Sequence, residues 1–366
     1  MNAKIGSYLA RWTAWIPVLA VVALILTWGR ELPAPLVIIS GTLLAGAVLA
    51  AVHHAEVVAH KVGEPFGSLV LAVAVTVIEV ALIVTLMITG PEKSQALARD
   101  TVFAAVMITC NGILGLSLLV GAVRRRFAVF NPEGTGGALA AVATIATLGL
   151  VLPSFTTSRP GAQFSPAQLA FAAVASLALY LLFVLVQTHR HRDYFLPITT
   201  AGKVIEEEDH LEPPTGRAAM ASLGFLLVAL VAVVGLAKGV SPAIETGVLK
   251  AGWPPAVVGL VIALLVLLPE TIAAVRAAAR DRIQTSLNLA LGSAMASIGL
   301  TIPAIAIAMI WLPGPLLLGL GGTQMVLLAL TVVVGTLTVV PGRANVLQGG
   351  IHLSLLAVFL FLAASP

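Results

Sequence analysis

Two glutamates stand where the chain is otherwise apolar. Glu79 is the one charged residue in "VAVTVIEVALIVTLM" (Val73 to Met87), and Glu270 ends "VIALLVLLPE", directly after Pro269. A central acidic residue adds about 2.5–3.5 kcal/mol to the cost of inserting a helix into a bilayer, and such residues usually face a cavity or the bundle interior. Pro269 cannot donate a backbone hydrogen bond, so a carbonyl near Glu270 is freed. Backbone oxygens and carboxylates together suit hard cations such as Ca²⁺ or Na⁺. The plainer alternative is a helix–helix hydrogen bond in which either glutamate, held neutral, pairs with a Ser, Thr or Asn.

Other polar residues invite weaker readings. His53, Glu56 and His60 share one helical face. They suggest a metal site or a proton entry relay, although interfacial residues satisfied by water and headgroups are the simpler reading, because the spacing matches no zinc-protease motif. Glu206, Glu207, Glu208 and Asp209 lack the alternating ligands and turn glycine of an EF-hand and read as a solvated loop. Arg124, Arg125 and Arg126 read as a topology determinant touching anionic lipid. Cys110, the single cysteine, and His352 read as packing residues.

The elements that must position these groups are membrane helices. Of 366 residues, 59% are hydrophobic and only 10% charged, far below the roughly 25% charged of soluble domains. Crossing hydrocarbon takes about 20 apolar residues, and eleven runs qualify: 12–29, 36–58, 67–89, 101–123, 137–153, 166–188, 218–238, 253–275, 284–311, 316–340 and 346–364. The first lacks a signal-peptide cleavage site and reads as a retained helix. A cytoplasmic N-terminus puts most of the 20 basic residues on the inner side, among them Lys4, Lys61, Arg124 to Arg126, Arg190, Arg276 and Arg282, and leaves the C-terminus outside. The net charge of +4 therefore requires no nucleic acid.

The polar connection 189–217 divides the chain into one helix plus five, then five more. A unit of odd helix number placed twice in succession is inverted in the membrane, the pattern of an inverted-repeat transporter. The boundaries expected are residues 1–30 for the first helix, 31–188 and 218–366 for the repeats, and 189–217 for a cytoplasmic acidic loop. Glu79 follows Pro65 at nearly the spacing by which Glu270 follows Pro255. The next run in each half opens on Asp100 or Asp281 and loses its apolar character at "CNG" (Cys110 to Gly112) or "GSAMAS" (Gly292 to Ser297).

Two facing carboxylates in a low-dielectric interior resist joint ionisation. One divalent cation or two protons neutralises the pair, and if only the neutralised site can cross, exchange is obligatory.

These motifs resemble the Ca²⁺/cation antiporter superfamily, in its cation/proton exchanger branch and the bacterial ChaA-type antiporters. The resemblance runs over nearly the whole chain from about Ala45. "AEVVAHKVGEPFGSLVLAVAVTVIEVALIV" is similar to the first family signature, "GAVRRRFAVFNPEG" to its basic loop, "LLPETIAAVRAAARDRIQTSLNLALGSAMASIGLTIP" to the second signature and "RANVLQGGIHLSLLAVFLFL" to the last helix. It implies an all-α polytopic fold of about eleven helices and cation- and proton-binding roles for Glu79 and Glu270, with Thr76, Asn111, Ser293 and Ser297 as secondary ligands. Val75 and Thr76, then Val266 and Leu267, stand where many members have Gly-Asn, and Ala296 stands where many have Gln. Fewer side-chain oxygens leave room for Na⁺ or K⁺ beside Ca²⁺.

The expected function is a non-enzymatic antiporter in a bacterial inner membrane, with inorganic cations, protons and lipid as its partners and no cofactor. The alternatives are a membrane-embedded metal-dependent hydrolase built on His53, Glu56 and His60, and an uncoupled cation channel.

Overall fold

The computed structural model describes residues 2–30, 32–63, 66–89, 95–198, 214–312 and 314–365. The acidic run at 206–209 lies outside them. Among the described residues eleven long helices follow one another: α1 (Asn2–Thr27), α2 (Ala34–Val62), α3 (Phe66–Thr89), α4 (Leu97–Arg125), α5 (Pro132–Ser154), α6 (Pro166–Arg190), α7 (Gly216–Lys250), α8 (Ala256–Ala279), α9 (Ile283–Ala308), α10 (Gly322–Val339) and α11 (Val346–Ala364). Nine of them are long and apolar enough to cross a membrane, and α1 and α3 carry shorter apolar stretches, Trp12–Thr27 and Val73–Thr85. A two-residue strand, β1 (Ala128–Val129), pairs antiparallel with β2 (Arg343–Ala344) and ties the α4–α5 connection to the α10–α11 connection.

Local chemistry explains where several helices begin. Asn131 accepts hydrogen bonds from the Glu133 and Gly134 amides, and Pro132 supplies a preset first helical residue. This cap starts α5 at Pro132 rather than at 137. Ser165 with Gln168 and Asn345 with Gln348 form reciprocal capping boxes at α6 and α11. By contrast, the glycine- and proline-rich "GPLLLGLGG" stays extended, with Leu316, Leu318 and Leu320 buried on alternate positions. α10 therefore opens at Gly322, later than the hydropathy run at 316 implies. α7 continues through Lys238 and Pro242 to Lys250, well beyond the apolar run ending at 238.

The packing has the symmetry of the expected repeat. α3 packs on α9 as α8 packs on α4; α9 packs on α6 as α4 packs on α11; α2 and α7 pack on each other. α4 and α9 are the most enclosed spans, with 89% and 61% of their apolar stretches buried. Small residues permit these close approaches. A Cβ on Gly299 of α9 would come within 2.8 Å of the Tyr180 Cβ on α6, and one on Gly115 of α4 within 2.9 Å of the His352 Cβ on α11. The chain is thus an all-α polytopic membrane protein with a 1 + 5 + 5 inverted-repeat fold.

Two large apolar clusters make up the core. One joins α1, α2, α3 and α7 to Val257, Val258, Ile262 and Val266 of α8, and the other joins α4, α5, α6, α9, α10 and α11 to Leu260, Ala263, Leu267 and Ala274 of α8. α8, the helix of Glu270, is the seam between them. At one end of the spans, here the basic end, the Asn131 amide donates to Gln284 Oε1 (2.7 Å), Asn288 Nδ2 donates to the Phe195 carbonyl (2.6 Å) and Arg125 pairs with Asp281 (2.9 Å).

A carboxylate-lined cavity between four helices

A cavity of about 220 Å³ lies between α3, α6, α8 and α9, and both Glu79 and Glu270 line it. Glu79 acts electrostatically on Glu270. Thr76, Ser293 and Ser297 line the same space, and so do Val75, Leu267 and Ala296. Toward the basic end the walls are Gln187, Thr285 and Asn288. These three polar residues drew no attention in the sequence. Their signal is the stripe Thr285, Asn288, Gly292 and Ala296, which winds along one face of α9 on the side of Ser293.

Glu79 is only 3% exposed. Ser297 Oγ lies 2.8 Å from its Oε1 and 2.9 Å from its Oε2, so one hydroxyl hydrogen serves either carboxylate oxygen. Thr301, one turn further along α9, stands beside the same carboxylate, with its Oγ1 outside hydrogen-bonding geometry. Glu270 is half-buried and differently placed. Its Oε2 is enclosed and has no hydrogen-bond partner, and Pro269 removes the amide that would bond the Leu265 carbonyl. A buried acceptor without a donor is costly, and either a cation or a proton on that oxygen removes the cost.

Asn111 does not line this cavity. It sits in a π-helical turn of α4, Ile108–Ile113, and is fully buried. Its Nδ2 donates to Thr331 Oγ1 (2.9 Å), and its Oδ1 meets His352 Nδ1 (3.1 Å). His352 Nε2 reaches Thr338 Oγ1 (3.2 Å), so a neutral ring donating from Nδ1 and accepting at Nε2 satisfies both contacts. This network fastens α4 to α10 and α11. His53 is half-buried and Glu56 and His60 are exposed on α2. Among the described residues no three His, Cys, Asp or Glu side chains gather as a metal-holding group. None of His53, Glu56 and His60 lines the carboxylate cavity.

Comparison with known proteins agrees with this architecture. The sodium/calcium exchanger protein family model matches residues 32–189 and 221–364. The chain is 45% identical to a putative ionic transporter, y4hA, of Sinorhizobium fredii, over 99% of this chain and 98% of that one. It is 35% identical to the sodium-potassium/proton antiporter ChaA of Escherichia coli, over 94% of this chain and 93% of that one. Among solved structures it resembles YfkE, with a TM-score of 0.71 at 16% identity over 97% of this chain and 99% of that one. It also resembles the H⁺/Ca²⁺ exchanger CAX, with a TM-score of 0.69 at 13% identity over 97% and 88%. At these identities the structural likeness is one of fold. The family match over both halves and the long alignment with ChaA lead to one assignment: the chain belongs to the sodium/calcium exchanger family, as a ChaA-type member of its cation/proton exchanger branch.

Proposed function

We propose that this cation antiporter exports a cytoplasmic cation (Ca²⁺, Na⁺ or K⁺) in exchange for protons, by alternating access, with Glu79 and Glu270 binding cation or protons competitively. The observation that carries the proposal is the meeting of two repeat-equivalent carboxylates in one cavity, one of them with an enclosed oxygen that nothing satisfies. Two ionised carboxylates repel at low dielectric, and one divalent cation, two monovalent cations or two protons relieve that repulsion. Thr76, Ser293 and Ser297 supply further oxygens. Ca²⁺ takes six to eight oxygen ligands, so the apolar Val75, Leu267 and Ala296 in the wall support Na⁺ or K⁺ as cargo alongside it.

The orientation follows from charge. The basic end, with Arg124 to Arg126 and Arg282, faces the cytoplasm by the positive-inside rule, in a bacterial inner membrane with the N-terminus inside and the C-terminus outside. Residues 31–188 and 218–366 are then the two repeats and 189–217 a cytoplasmic loop. The polar walls at Gln187, Thr285 and Asn288 support entry of cations and protons from the cytoplasmic side, with His53, Glu56 and His60 as the entry relay.

The test uses everted vesicles carrying an imposed pH gradient, with Ca²⁺, Na⁺ and K⁺ added separately across a range of pH. An exchanger dissipates the gradient on cation addition. A channel moves the cation with no coupled proton flux, and a hydrolase moves neither.

A further inference from the structure

A second cavity, of about 300 Å³, lies at the opposite end of the spans; Asp100, Phe103, Leu260, Gln324 and Phe359 are among its walls, and it shares no residue with the first. The two are related in part by the repeat. The carboxylate cavity takes walls from α9 and α6, and the second takes walls from their repeat equivalents, α4 and α11, with α8 and the start of α10 completing it. Along α8 the two are close. Leu260 lines one and Leu267 the other, about 10 Å apart at helical rise, with buried Ala263 between them.

Asp100 is 8% exposed. The mechanism above does not use it. Arg99 Nε and Nη2 both lie 2.8 Å from its Oδ1, and Arg99 Nη1 lies 3.3 Å from the Gly319 carbonyl. Gly319 belongs to the extended segment before α10, which is itself pinned: Leu317 donates to the Gln95 carbonyl, Gly319 to Ala162, Leu320 to Leu150, and Ser154 Oγ donates to the Leu320 carbonyl. No side chain fits at Gly319, because a Cβ there would lie 2.7 Å from Ala162 Cβ and 2.8 Å from the Ser154 amide. The guanidinium therefore bridges the one carboxylate of the second cavity to the strap that covers this end.

We propose that this cavity is the closed far half of the cation path, that Asp100 is its cation-accepting carboxylate, and that Arg99 occupies Asp100 as a tethered counter-ion until the strap releases. The proposal rests on the exchanger reading, and it adds a third carboxylate and a latch to the path. A cation leaving Glu79 and Glu270 toward the far side competes with Arg99 for Asp100. Opening at this end is then paired with loss of the Arg99–Gly319 contact.

The test reads accessibility without needing transport. In a Cys110→Ala background, Ala104→Cys reports on the second cavity and Thr285→Cys on the first, each labelled by a membrane-impermeant thiol reagent in vesicles of known orientation. Adding Arg99→Gln is expected to raise labelling of Ala104→Cys from the far face about fivefold, the factor that ~1 kcal/mol of ion-pair energy gives, and to lower labelling of Thr285→Cys from the basic face. Arg99→Lys, which keeps the charge, should stay near the parent. Asp100→Asn removes the same ion pair, so it should shift labelling at both positions in the same directions as Arg99→Gln and, unlike Arg99→Gln, slow exchange by loss of the carboxylate. Unchanged labelling, or labelling that rises at both positions together as in a loosened protein, overturns the latch. The exchanger reading stands or falls separately, on whether Glu79→Gln and Glu270→Gln abolish exchange.

Discussion

Glu79 and Glu270 occupy equivalent places in two inverted repeats, yet the structure treats them differently. Glu79 is sealed among α3 and α9 side chains and holds a hydroxyl donor from Ser297. Glu270 is partly buried, follows a proline inside its helix and carries an enclosed oxygen without a partner. A twofold pathway caught in one of its states must look asymmetric, because only one end is open. On our reading, the difference identifies Glu270 as the carboxylate that first meets a cation or proton from the basic end, and Glu79 as the deeper one that completes neutralisation.

Removing either charge tests the shared role and should give the largest effect. Glu79→Gln and Glu270→Gln are each expected to abolish cation-driven dissipation of a pH gradient, since a single remaining carboxylate cannot bind the same charge. Breaking the difference between the two comes next. Ser297→Ala removes a hydrogen bond to a carboxylate worth about 1.5–3 kcal/mol and should raise half-saturating cation concentration tenfold or more. Ser293→Ala, whose hydroxyl bonds neither glutamate among the described contacts, should raise it less. A smaller effect belongs to a region outside the cavity. His352→Ala leaves Asn111 Oδ1 and Thr338 Oγ1 without that partner, at about 1–3 kcal/mol, and is expected to lower the thermal midpoint in detergent while leaving the order of cation preference unchanged. The smallest expected change is in selectivity: Val75→Gly with Thr76→Asn adds a side-chain amide beside Glu79 and should raise the Ca²⁺ response relative to Na⁺ and K⁺ a few-fold.

Much of this fold is legible in the sequence because the bilayer demands it. Apolar runs of about 20 residues read as spans; the caps at Asn131, Ser165 and Asn345, which set where three of the helices begin, emerged only in the structure. The extended strap before α10 escaped, because hydropathy does not distinguish an apolar extended segment from an apolar helix. The end of α7 escaped too, since a helix long enough to outrun the hydrocarbon has no apolar signature in its last turns. At the site, the carboxylates stand out by their cost, and the structure brings Thr76, Ser293 and Ser297 to the same cavity. Gln187, Thr285 and Asn288 were invisible, because polar residues at helix ends look like ordinary boundaries. Asn111 shows the opposite difficulty. Its break in apolar character is plain, but a break does not say which side faces the path, and here a π-helical turn carries it to α10 and α11.

The account's central claim is that one pair of carboxylates takes either cation or protons. The most direct measurement is proton release from the purified protein in weakly buffered detergent solution when Na⁺, K⁺ or Ca²⁺ is added. Binding of a transported cation is expected to release protons, and the Glu79→Gln, Glu270→Gln double variant to release none. Saturable cation binding with no proton release, or full release from the double variant, would contradict it.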